Sequence, residues 1–93
     1  MTAFDNLEKA KAIWRLLLDA PPPDDRMLHR WLLSNPMEDF ERACSRTQWR
    51  FKNEKYDAAK AYAFVTSSLA WFREKKQRVS AKEEYEHTTS TRS

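Results

Sequence analysis

The sequence contains no glycine in its 93 residues, and this absence limits its fold and chemistry more than any other feature. Many phosphate-binding and catalytic loops need positive φ or a close backbone approach, which glycine supplies most readily. The dinucleotide-binding fingerprint, the Walker A loop, the nucleophile elbow and the usual calcium-binding loop all contain it. Two-residue β-hairpins also lose their preferred turn residues. The sequence therefore predicts a helical protein without these nucleotide-binding or catalytic motifs.

Proline positions and helical periodicity divide the chain into segments. The four prolines stand at positions 21, 22, 23 and 36, and proline starts or ends helices because it lacks the amide donor. Elsewhere apolar residues recur three and four positions apart, as they do on the buried side of a helix. A chain of this length can build one small core. We predict an all-α, single-domain bundle of about four helices over residues 1–79, followed by a flexible C-terminal tail.

The local signals place the first three helices. The first is expected to begin near Ala3 and to end at the proline triplet. Asp24 or Asp25 is expected to begin the second helix, because a carboxylate suits a helix N-terminus. Asn35 is predicted to cap the third helix, with Pro36 as its first helical residue.

Residues 57–76 predict a fourth helix, capped by Asp57, around which the other helices pack. One side forms an apolar stripe, and nearly opposite it Phe64, Ser68 and Trp71 form a second. Apolar residues on two sides of a helix indicate neighbours on both. The first stripe consists of Ala58, Ala61, Tyr62, Val65, Leu69 and Phe72.

The C-terminal residues differ from the rest of the chain. Apolar periodicity is lost beyond Arg78, so residues 80–93 predict a polar, partly disordered tail, with disorder from about residue 86. No signal peptide is visible, and no apolar segment is long enough to span a bilayer. We therefore expect a cytoplasmic protein that does not associate with a membrane.

The reactive residue types do not form a recognisable catalytic or metal-binding pattern. His29 and His87 lack the neighbouring ligands of a zinc site. Cys44 cannot form an internal disulfide and lies on an apolar helical face, so it predicts a core residue rather than a reactive thiol. Adjacent acids such as Asp24 and Asp25 are explained by a helix start. We expect no catalytic residue, metal, cofactor or small-molecule substrate, and hence a non-enzyme.

Charge is distributed unevenly along the chain. Residues 1–41 hold eight acids and five bases, net −3, whereas residues 42–79 hold ten bases and three acids, net +7. The remaining residues carry −1, so the mild total of +3 conceals a basic C-terminal half. A concentration of positive charge favours an anionic partner.

The third helix combines this charge with an aromatic side chain. Trp49 lies about 180° around that helix from Phe40, which belongs to its apolar stripe. Arginines contact phosphates, and an exposed Trp offers a platform on which a base can stack. The predicted site for single-stranded or duplex DNA comprises Arg42, Arg46, Trp49, Arg50 and Lys52. Two alternatives stay open. Trp49 packs against another helix beside merely solvated arginines, or the chain is an adaptor that binds another protein, with self-association as one form of that contact.

A family resemblance adds to this interpretation. In the fourth helix Phe64-Val65 is followed by Ser68-Leu69 and then by Phe72. This spacing resembles the DnaD-like domain of bacterial primosomal replication proteins. That family's C-terminal motif has Tyr-Ile, then Ile-Leu three residues after that pair, and a Trp three residues beyond. The departures are Phe in the Tyr position, Ser in the second Ile position, and a Trp displaced by one residue, to Trp71.

The preceding segment WLLSNPMEDFERA is also similar to that family. It combines a Trp-containing helix, a short break and a helix that begins with an acidic turn. The resemblance covers roughly residues 28–76. It implies a helical module that binds DNA with little sequence preference, as a replication accessory on a bacterial chromosome, plasmid or phage.

Overall fold

A computed structural model describes the backbone of residues 3–92 and the side chains of residues 5–77. The described backbone forms four α-helices and no strand, which confirms the predicted all-α bundle. They are α1 (Ala3–Leu18), α2 (Asp25–Ser34), α3 (Met37–Arg50) and α4 (Ala58–Arg92).

The first helix ends without the glycine that commonly follows a helix C-terminus. Asp19 takes that place with a φ of 48°, a left-handed conformation that Asp tolerates better than most residues. Its N–H donates to the carbonyl of Arg15 at 3.0 Å. The proline triplet then carries the chain to α2.

The start of α2 agrees with the prediction of Asp24 or Asp25, whereas the predicted cap of α3 needs correction. Asp24 caps α2 by accepting a hydrogen bond from the N–H of Met27 at 2.8 Å. The prediction that Asn35 caps α3 is wrong, because its side chain donates to the carbonyl of Trp31 at 3.1 Å. Asn35 is buried and closes α2, while α3 has Pro36 as its N-cap and begins one residue later than predicted.

The central helix of the bundle is α3, which contacts each of the other three helices. The prediction that α4 takes this place is wrong. On α4, the first apolar stripe is buried at Ala61, Val65 and Leu69. On its second stripe Ser68 is buried, but Trp71 is 46% exposed. Because α4 packs mainly against α3, it has one covered side rather than two.

Aromatic side chains from all four helices form the centre of the core. Trp14 and Trp31 stack with ring centroids 6.1 Å apart, and Tyr62 and Phe40 contact this pair. Cys44 is fully buried beside them, which confirms its predicted place in the core. These contacts fix which side of α3 faces solvent.

The fourth helix begins at the predicted cap, since Asp57 accepts a hydrogen bond from the N–H of Lys60 at 3.1 Å. The described backbone of α4 continues to Arg92 and so includes most of the predicted tail, residues 80–93, whereas the sequence predicts a helix only over residues 57–76. The side chains of that tail are not described, and its disorder from about residue 86 stays a prediction. Within the described residues, no helix has the length and apolar character needed to cross a membrane.

Candidate nucleic-acid interface

The outward side of α3 carries the residues that the sequence predicts as a nucleic-acid site. Phe40, Ala43 and Thr47 are buried, and this sets the rotation of the helix. Trp49, on the opposite side, is therefore 72% exposed. The alternative in which Trp49 packs against another helix is excluded. Exposed positions are also found at Arg42, Arg46, Arg50 and Lys52, the last lying in the turn after α3.

Two cations near Trp49 differ in their surroundings. The ammonium of Lys52 lies 5.5 Å from the centre of the Trp49 ring, a cation–π contact at the surface. Arg50 instead has its Nη1 atom 3.0 Å from a carboxylate oxygen of Glu54. Lys52 therefore contributes positive charge beside the ring, whereas the charge of Arg50 is partly neutralised.

Arg46 joins α3 to aromatic residues of α4. Its guanidinium carbon lies 5.9 Å from the ring centre of Phe64, 5.3 Å from Trp71 and 5.7 Å from Phe72. The ammonium of Lys75 lies 5.0 Å from the Trp71 ring. Three rings thus restrict the guanidinium while Arg46 stays exposed. These α4 residues are not part of the site predicted from the sequence, although Phe64 and Trp71 belong to the second stripe of α4.

A buried carboxylate underlies Arg42. One oxygen of Asp39 lies 3.6 Å from Nη1 of Arg42, and the other lies 2.7 Å from the ammonium of Lys76 on α4. Asp39 belongs to the acidic first turn of α3, which explains its position in the helix but not its burial. No feature of the sequence indicated its partner, because Lys76 is 37 residues away.

The surface around these residues is recessed in two places. An open groove of about 580 Å³ is lined by Glu38, Glu41, Arg42, Ser45, Arg46 and Phe72. Next to it, a hollow of about 430 Å³ is lined by Ser45, Gln48, Trp49 and Lys52. This part of the surface combines cations, exposed rings and grooves. It suits a flexible anionic polymer, whose negative charges the cations would contact and whose planar groups the rings would stack on. We call this combined face of α3 and α4 the cation–aromatic surface. It comprises Arg42, Arg46, Trp49, Arg50 and Lys52 of α3 and the turn after it, and Phe64, Trp71, Phe72 and Lys75 of α4.

Other chemistry has less support in the described part of the chain. Burial raises the pKa of the Cys44 thiol to about 12, with a smaller contribution from the Glu41 carboxylate. Such a thiol is protonated near neutral pH and is a poor nucleophile or metal ligand. Among the side chains that the structure describes, no group of three or more His, Cys, Asp or Glu could hold a metal ion.

Comparisons with protein-family models, curated proteins and solved structures found no match to this chain. The geometry of the cation–aromatic surface is therefore the basis for assigning a function.

Proposed function

We propose that the chain is a small non-enzymatic module that binds nucleic acid through the cation–aromatic surface. The observation that carries this proposal is the exposure of Trp49 among basic side chains on the outward side of α3. A large apolar ring is costly to leave in water, and a stacked base would cover it. The neighbouring cations would contact the phosphates on either side of the stacked base.

The expected ligand is DNA, single-stranded or duplex, bound with little sequence preference. Arg42, Arg46 and Lys52 are suited to phosphate contacts, which supply affinity without reading sequence. The spacing shared with the DnaD-like domain favours a role as a replication accessory. We propose both the preference for DNA and the role in replication.

Salt dependence tests the electrostatic part of the proposal. Binding should weaken as salt rises, because phosphate contacts release condensed counterions. Replacing both arginines in Arg42→Ala/Arg46→Ala should weaken binding and make the logarithmic salt slope for single strands shallower by about 1.4, or 0.7 per lost contact. The matched control is Arg26→Ala/Arg30→Ala, which removes the same charge from exposed positions of α2.

The control should retain a slope close to that of the parent protein. Equal losses in the two double variants would contradict a localised site, because net charge alone would then explain binding. Absence of binding by the parent protein at low salt would contradict the proposed function itself.

A second candidate function is a protein-interaction adaptor that also self-associates. It is favoured by Leu16 on α1 and Leu33 on α2, which are 82% and 73% exposed. An apolar contact through these residues should depend little on salt. Sedimentation of the parent protein and of Leu33→Glu would test self-association. A salt-insensitive oligomer that the substitution dissociates would favour this second function.

A further inference from the structure

The groove beside Phe72 contains two carboxylates that phosphate contacts do not explain. Glu38 and Glu41 line it together with Arg42 and Arg46. Among residues with described side chains, neither glutamate makes a hydrogen bond or an ion pair. A carboxylate accepts hydrogen bonds and repels phosphates. A ligand of this groove should therefore offer hydrogen-bond donors as well as negative charge.

The other lining groups suit a planar ligand. The Arg46 guanidinium lies 5.7 Å from the centre of the half-buried Phe72 ring. Unpaired bases stack both on aromatic rings and on guanidinium planes. The groove is open to solvent, and its volume of about 580 Å³ leaves room for one base. Stacking and a nearby acceptor can be satisfied by one nucleobase.

The glutamate carboxylates in the groove favour bases that carry an amino donor. Cytosine, adenine and guanine carry an exocyclic amino donor at C4, C6 and C2, and carboxylates accept from such groups. Thymine and uracil carry no amino group, and their one base donor, N3–H, lies between two carbonyl oxygens that a carboxylate repels. In duplex DNA the bases are stacked within the helix, so neither face of a base is free to stack on Arg46 or Phe72.

We infer that this groove takes one unpaired base with an exocyclic amino group, which is cytosine, adenine or guanine, from a single strand. Glu38 or Glu41 accepts a hydrogen bond from the amino group of the base. The base stacks on the Arg46–Phe72 pair, and Arg42 contacts a flanking phosphate. This inference rests on the proposed function and narrows its ligand. Recognition of one base adds a limited sequence preference to binding that otherwise depends on phosphate contacts.

The test compares short deoxycytidine and deoxyuridine homopolymers of equal length, which differ in the base only around C4 and N3. Fluorescence anisotropy is measured at low salt and slightly alkaline pH. The parent protein should bind the cytidine strand at least about fivefold more tightly, as one good base contact provides. In Glu38→Gln/Glu41→Gln the ratio should fall to about one, because an amide can donate to a carbonyl or accept from an amino group.

The readout is the ratio of affinities, since removing two negative charges strengthens binding to both strands. The control Glu8→Gln/Asp25→Asn removes two negative charges that contact Lys11, outside the groove. It should keep the parental ratio. Equal binding of both strands by the parent protein would overturn the inference and leave the proposed function standing. A preference that survives in the glutamate double variant would also overturn it, and no binding of either strand would contradict both.

Discussion

The ammonium of Lys76 on α4 lies 2.7 Å from a carboxylate oxygen of Asp39 on α3, whose side chain is only 2% exposed. The other carboxylate oxygen lies 3.6 Å from Arg42. One buried acid thus connects α3 to α4 just beyond Trp71 and Phe72. This connection helps to fix the distance between the two halves of the cation–aromatic surface.

Replacing Asp39 should therefore destabilise the fold more than replacing an exposed acid. Asp39→Asn should lower the free energy of unfolding by about 1.5–3 kcal/mol, as expected for a buried hydrogen bond to a charged group. Glu54→Gln is the control, since the Glu54–Arg50 pair is about half exposed and such pairs contribute about 0–1 kcal/mol. Urea denaturation measures both. Equal effects would show that the Asp39 contacts contribute no more than a surface pair.

The covered side of α4 gives a second prediction. Leu69 is buried, so Leu69→Ala should lower the free energy of unfolding by about 2–5 kcal/mol, from lost burial and a residual cavity. Leu33→Ala makes the same change at an exposed position and should alter stability by no more than about 0.5 kcal/mol. Thermal and urea denaturation provide the comparison. A small loss for Leu69→Ala would contradict the helical phase of α4.

The helices and the phase of α3 could be predicted from the sequence because local signals determine them. Proline positions, the Asp24 cap and the spacing of residues such as Phe40 and Cys44 specify where helices begin and which side they bury. The central helix could not be predicted in this way. Periodicity shows that a side is apolar but does not show which element covers it, and Trp71 proved to be partly exposed.

The candidate site was predicted only on α3. Exposure of Trp49 follows from its angle relative to the buried stripe. The packing of Arg46 on Phe64, Trp71 and Phe72 depends on how α3 and α4 meet, which their separation along the chain conceals. Asn35 was assigned to the wrong helix end because its side chain can bond to either neighbouring helix.

The Cys44 thiol should be unreactive in the folded protein. Its pKa is raised from an ordinary 9.0 to about 12, chiefly by burial, so the thiolate is scarce near neutral pH. A disulfide reagent should label Cys44 slowly in native protein and rapidly in denaturant. From about pH 9 upward the unfolded chain ionises first, so this group should lower stability as pH rises toward 12. Equally rapid labelling of native and denatured protein would contradict the burial of Cys44.

Trp49 and Trp14 should separate binding from folding. Trp49→Ala should leave the melting temperature nearly unchanged but weaken single-strand binding by about 1–3 kcal/mol, the value of one stacked base. Trp14→Ala, within the core, should instead lower the free energy of unfolding by about 3–5 kcal/mol. Thermal melting and anisotropy titrations distinguish the two effects. Unchanged single-strand affinity in Trp49→Ala would remove this ring from the site.

The indole N–H signals of the four tryptophans test the central claim most directly. In a ¹⁵N-labelled sample titrated with a short single-stranded oligonucleotide at low salt, the exposed Trp49 and Trp71 should shift strongly. The buried Trp14 and Trp31 serve as internal controls and should move little. Single Trp→Phe variants assign the signals. A saturating shift confined to Trp49 and Trp71 is the predicted result. Unmoved Trp49 and Trp71 signals at saturating oligonucleotide would contradict binding at the cation–aromatic surface.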